Sequence, residues 1–106
     1  MSEITIVASI HAATGHEDDV EAALEVLIEA THREPGCLRY VLHRHHDDPA
    51  RFVLIEHWQD QVSLDTHFQA EHMAAFMTAV APWLEGGSVV HVLEPLPKGD
   101  ATKGRL

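Results

Sequence analysis

Glu56, Trp58 and His67 stand close together in the sequence and offer three kinds of chemistry. A carboxylate in an otherwise apolar run, IEHW, is costly to bury unless it is paired. Glu56 is therefore either a base or polar contact in a pocket, or half of a cross-strand salt bridge with Arg39 or Arg44. Trp58 is either a core tryptophan with its indole N–H hydrogen-bonded or a flat wall for an aromatic ligand, and one ring can do both. His67 stands at the edge of an apolar helical stripe, where an imidazole can titrate near neutral pH and exchange protons. If the three converge, the chemistry they suit is proton transfer beside an aromatic-lined slot.

Ten histidines also raise the question of a metal. His43 and His45 share one face of a strand and His46 follows directly. No Cys ligand pattern or HExxH partner completes a site, so no metal is expected. His67 and His72 are five residues apart, about 140° around a regular helix, which keeps them from sharing one ion. Cys37 is the single cysteine, excludes an intrachain disulfide and has no activating neighbours, so it is expected to be inert. No phosphate-cradling Gly-rich loop, nucleophile elbow or dinucleotide fingerprint is present.

The elements that must position these groups follow from apolar periodicity. Ile4 to His11 alternates as a strand. A helix starts at Thr14 or His16 and reaches about Arg33, with Val20, Leu24, Leu27, Ile28 and Thr31 as its buried stripe and Glu17, Glu21, Glu25 and Glu29 opposite. Pro35-Gly36 stops it. Cys37 to His46 is a second strand, Asp47 to Ala50 a turn, and the run from Arg51 through Trp58 a third strand. Asp60 caps a helix in which Leu64, Phe68, Met73, Phe76, Met77 and Val80 keep helical spacing, until Pro82 and Gly86-Gly87 end it. Ser88 to Glu94 is a fourth strand. Residues 1–95 form one domain, and the tail 96–106, polar with two prolines in PLPKGDATKGRL, is an extended or disordered arm.

Strand, helix, strand, strand, helix, strand is the ferredoxin-like α+β order, a four-stranded antiparallel sheet with its helices on one face. The third and fourth strands are apolar on both faces, although an antiparallel sheet with one wet face alternates. The cover expected for the second face is another copy of the chain, making a homodimer. The formal net charge of -10, with 17 acidic residues against 7 Lys and Arg, leaves no basic stripe for nucleic acid or an anionic membrane. The start MSEITIVASI lacks the features of a signal peptide, and a cytoplasmic location is expected.

The segments EPGCLRY (Glu34 to Tyr40) and DDPARFVLIEHW (Asp47 to Trp58), the helical His67, and HMAAF (His72 to Phe76), taken with the element order, resemble the antibiotic biosynthesis monooxygenase family. The resemblance covers roughly residues 4 to 95. It implies a dimeric α+β barrel and cofactor-independent oxygenation, by O2, of a small hydroxylated aromatic of the quinol or anthrone type. His67 would be the base and Glu56 its alternative or orienting partner, with Trp58, Tyr40, Leu54, Leu64, Phe68, His72 and Phe76 around the substrate. Leu54 stands where antibiotic-tailoring members carry Asn. Around Ser9, His67 and Met77 the residue set of haem-degrading members is missing. An isomerase or other proton-transfer enzyme, or a non-catalytic ligand-binding barrel, would use the same scaffold.

Overall fold

The structure is a computed structural model and describes residues 2–106. In chain order it contains β1 (Ile4–His11), α1 (Glu17–Thr31), β2 (Cys37–His45), β3 (Asp48–Trp58), α2 (Gln61–Phe68), α3 (Glu71–Val80), a 3-10 turn (Ala81–Trp83) and β4 (Val89–Leu93). The strands form one sheet in the order β2-β3-β1-β4, each pair antiparallel. This is the ferredoxin-like arrangement the sequence implies. No helix among the described residues is long and apolar enough to cross a membrane.

Register assigns the two faces. Ile6 lies beside Glu56 and Val92, and Tyr40 lies beside Glu56 on the other side. Side chains alternate along a strand, so Ile6, Tyr40, Phe52, Leu54, Glu56 and Trp58 share the face that the helices cover. All six are buried. From above, α1 supplies Val20, Leu24 and Leu27 and α3 supplies Phe76 and Val80. Each fully buried side chain of this kind contributes about 1.5–3 kcal/mol of transfer free energy. That burial holds α1 in place despite the exposed glutamate stripe along its length.

The opposite face carries Val7, Val53 and Ile55, with Val41 44 %, Val89 48 % and Leu93 45 % exposed. No helix among the described residues covers them, and every residue of β4 is exposed.

Three features differ from the sequence reading. The hairpin turn is shorter than Asp47 to Ala50, because β2 ends at His45 and β3 resumes at Asp48. A register shift between Arg44 and His45 absorbs the difference, and Pro49 lies beyond the last β1–β3 pair, where no ladder N–H is needed. The second helix is two helices. Gln69 closes α2 in a helical conformation, and Ala70 is extended at φ -70 and ψ 148 before α3 begins. In the tail, residues 99–104 turn back, with the Gly104 N–H donating to Asp100 O at 2.9 Å, rather than continuing as an arm.

Candidate active site beneath the helix break

The break between α2 and α3 is where the chemistry gathers. His67 is in the last turn of α2 and His72 in the first turn of α3. Glu34 follows α1 in a loop tied at three points: Glu34 N–H to Thr31 O at 3.0 Å, Cys37 N–H to Glu34 O at 3.1 Å, and Gln59 N–H to Gly36 O at 2.9 Å. Gly36 has to be glycine, since a Cβ there would collide with the side chain of Ser63 in α2. This close approach seats the loop, and with it Glu34, against the second helix. Asp60 fixes the start of that helix by accepting the Ser63 N–H at 2.8 Å.

Glu34 Oε2 then lies 2.7 Å from His67 Nδ1 and 2.7 Å from His72 Nε2. The carboxylate accepts an N–H from each ring. With Nδ1–H committed to Glu34, Nε2 is the nitrogen of His67 left to accept a proton. The imidazole is 1 % exposed. Trp58 packs against it at 4.6 Å between ring centroids and Tyr40 at 5.4 Å. Burial lowers its pKa below the usual histidine value, against the raising effect of Glu34, and the ring is held neutral at neutral pH.

Glu56 is the second titratable group on this face of the sheet. The Trp58 indole N–H donates to Glu56 Oε1 at 2.9 Å, along one face of β3. Burial raises the carboxyl pKa to about 7, the indole N–H opposes the rise, and the nearby Glu34 charge adds to it. Neither Arg39 nor Arg44 pairs with Glu56. Arg44 bonds Glu21 at 2.7 Å and Arg39 donates to Leu38 O. The orienting partner of His67 is Glu34, and Glu56 is occupied with Trp58 instead. The Tyr40 phenol is pushed above its ordinary range by burial and by Glu56, so it stays a donor. Cys37 is raised to about 11 by burial and by both carboxylates, which keeps it a thiol.

A small apolar cavity of about 80 Å³ lies between sheet and helices, lined by His67, Glu56, Tyr40, Leu54, Phe68 and Phe76 among others. Phe68 and Met77, each 49 % exposed, are among its lining residues. Trp58 and Leu64 are buried in the core behind it, and His72 sits off it on Glu34. Two roomier hollows lie elsewhere, one of about 480 Å³ at the tail, where His57 Nε2 lies 2.7 Å from Glu3, and one of about 590 Å³ along β2. Glu34 is absent from the site that the sequence implies and joins it in the structure. Its one signal is its place just before the Pro35-Gly36 stop, because the sequence gives no measure of its distance to His67. On one regular helix His67 and His72 would point apart; the break at Gln69-Ala70 lets both turn to Glu34.

The family model described as antibiotic biosynthesis monooxygenase matches residues 3–79. A Pseudomonas aeruginosa protein, PA3566, superposes with a TM-score of 0.85 at 32% identity, covering 91% of this chain and 96% of the other. Rv0793 of Mycobacterium tuberculosis is 27% identical over 100 residues, 94% of this chain and 98% of that protein. Its solved structure superposes at a TM-score of 0.86, covering 93% of this chain and 100% of that one. The uncharacterized Synechocystis protein sll1783 is 26% identical over 74 residues, 70% of this chain. That match spans half, 50%, of the Synechocystis protein's length.

Proposed function

This chain belongs to the antibiotic biosynthesis monooxygenase family, and from that premise we propose that it oxygenates a small hydroxylated aromatic of the quinol or anthrone type, with His67 Nε2 taking the first proton. The observation that carries the reading is His67 itself: a buried, neutral imidazole on the cavity wall with Nδ1 fixed by Glu34. A base held in one tautomer by a carboxylate is the arrangement general-base catalysis needs.

The protein's part is small. Loss of the aromatic O–H proton to Nε2 leaves an electron-rich anion that passes an electron to O2. The resulting radical pair joins at a ring carbon as a hydroperoxide. Its O–O bond then breaks, one oxygen staying on that carbon as a carbonyl and the other leaving as water. The substrate supplies all the electrons, so this route needs no flavin or metal. The Tyr40 hydroxyl, and Glu56 in its protonated form, are the donors for developing oxyanion charge. At about 80 Å³ the cavity has room for two or three waters. A ring therefore enters only as lining side chains give way, the half-exposed Phe68, Met77 and Val90 among them.

The uncovered sheet face adds a partner to the proposal. Val7, Val41, Val53, Ile55, Val89 and Leu93 make an apolar band that a second copy would cover, as the interface of a homodimer. Sedimentation at micromolar concentration checks this, and a monomer there defeats it.

A second reading has one observation behind it. Glu56 and His67 line the same cavity with pKa values shifted in opposite directions, which also suits proton shuttling in an isomerase. An oxygen electrode separates the two. Chelator-treated protein is offered a panel of quinols and anthrones, and substrate-dependent O2 uptake supports oxygenation. Turnover without uptake supports the isomerase, and no uptake above the buffer rate across the panel removes the primary reading.

A further inference from the structure

Three elements deliver Glu34, His67 and His72 to one point, where their ligating atoms all lie within 4.8 Å of one another. Among the described residues this is the one grouping of three such side chains that closes so tightly. Glu34 uses only one oxygen there, Oε2, for both imidazoles, while Oε1 is buried with no hydrogen-bond partner. A desolvated carboxylate oxygen without a partner is costly, and a cation is the partner that would satisfy it.

We propose that Glu34, His67 and His72 form a binding site for a divalent transition cation of the Zn2+ class, and that its occupancy turns His67 from a proton acceptor into a proton donor. The switching half rests on the reading of His67 as the base; the site itself does not. Two imidazoles and a carboxylate are a ligand set of open zinc and facial-triad sites, with remaining positions for water or Oε1. An ion held tetrahedrally at about 2.0–2.2 Å from each ligand requires N···O separations of about 3.4 Å, against 2.7 Å here. Glu34 Oε2 therefore has to draw back from each ring by about 0.7 Å. Glu34 rides on a loop, and the His72 side chain, 25 % exposed, has room to follow.

The switch follows from counting protons on the ring. A neutral imidazole has one N–H. Hydrogen-bonded to Glu34, the proton sits on Nδ1 and the Nε2 lone pair is free. An ion on Nδ1 needs the lone pair there, so the proton moves to Nε2 and the cavity side of the ring becomes a donor. The ring's charge does not change. His67 then cannot take a proton from a phenol, and the metal-loaded protein is inactive as an oxygenase.

The surface histidines are the rival explanation for any zinc bound, and the test includes them. Zn2+ is titrated against a chromogenic chelator with wild type, Glu34→Gln, His72→Ala and the triple variant H43A/H45A/H46A, each confirmed folded by circular dichroism. One tight equivalent per chain in wild type and in the triple variant is expected, weakened at least tenfold in Glu34→Gln and in His72→Ala. If the tight equivalent is absent, or goes with the surface triple while Glu34→Gln and His72→Ala keep it, the site is refuted. Nitrogen NMR of the imidazoles, with and without Zn2+, reads the tautomer directly without any substrate. A free Nε2 lone pair on His67 in the zinc-loaded protein overturns the switch and leaves the site standing. On an aromatic that wild type turns over, saturating Zn2+ should lower kcat/KM at least tenfold, and excess chelator should restore it. Zinc binding with no turnover on any substrate defeats the functional reading alone. Turnover indifferent to bound zinc defeats the switch alone.

Discussion

Two clusters of histidine in this chain contrast sharply. At the end of β2, His43, His45 and His46 are consecutive or nearly so, and all three are exposed. His43 Nδ1 reaches only Val41 O, two residues away, and His46 only the neighbouring Asp47, with 99% of its side chain exposed. Beneath the helix break, His67 and His72 come from different helices and meet on a carboxylate from a third segment. The first cluster is dense in sequence, and what His45 and His46 share is the exposed neighbour Asp47. The second is sparse in sequence, yet it has a fixed tautomer, a shifted pKa and a cavity. A histidine acquires chemistry from what surrounds it in space, and water surrounds the first set.

The largest test of this contrast removes a wall of the buried site. Trp58→Ala is expected to cost about 3–5 kcal/mol in a denaturant titration, since it deletes a fully buried indole and strands Glu56 Oε1. A loss under 1 kcal/mol would mean that the site is looser than its packing suggests. Next comes the base. On an active substrate, His67→Ala and the bulkier His67→Gln should both lower kcat by on the order of a hundredfold, about 2.7 kcal/mol of barrier. The acid limb of the wild-type rate profile should fall below the usual histidine value, because burial lowers the pKa of His67. Wild-type rates in His67→Gln would transfer the role to Glu56.

Glu56 gives a test through stability. Its folded pKa, about 7, lies above the ordinary 4.5, so the folded chain holds a proton that the unfolded chain has released. The stabilisation is complete below pH 4.5 and is lost as pH rises to about 7. Glu56→Gln stays neutral and can still accept from the indole. It should be about 1–3 kcal/mol more stable than wild type above pH 8, with the gap closing in acid. A gap that does not change with pH would show that Glu56 ionises freely. The smallest effect belongs to the exposed cluster. H43A/H45A/H46A should change stability by no more than about 0.5 kcal/mol, and kcat by less than about twofold. A larger change would give the surface histidines a part that their hydrogen bonds do not explain.

How much of this was legible depends on the range of the interactions involved. Alternation and helical spacing placed all four strands and α1, because one-sided burial imprints itself on neighbouring residues. The glutamate in IEHW stood out because an acid in an apolar run is anomalous wherever the chain goes. Its partner was not legible. Arg39 and Arg44 were plausible from the strands alone, whereas the observed donor, Trp58, depends on rotamers inside a packed core.

The break between α2 and α3 marks the limit most clearly. Gln69 and Ala70 are both good helix formers, with no glycine or proline to announce an interruption. By itself the sequence determined the order of the strands and α1, and the types of the chemical groups, all through local periodicity and composition. Tertiary structure decided where the second helix breaks, and therefore that His67 and His72 share Glu34 rather than point apart. The reason is energetic. Interrupting a helix at two residues sacrifices little local propensity, while packing Leu64 and His67 on one side and Phe76 and Val80 on the other buries several large side chains. That larger contribution involves residues distant in the chain and exists only once the sheet and α1 are in place.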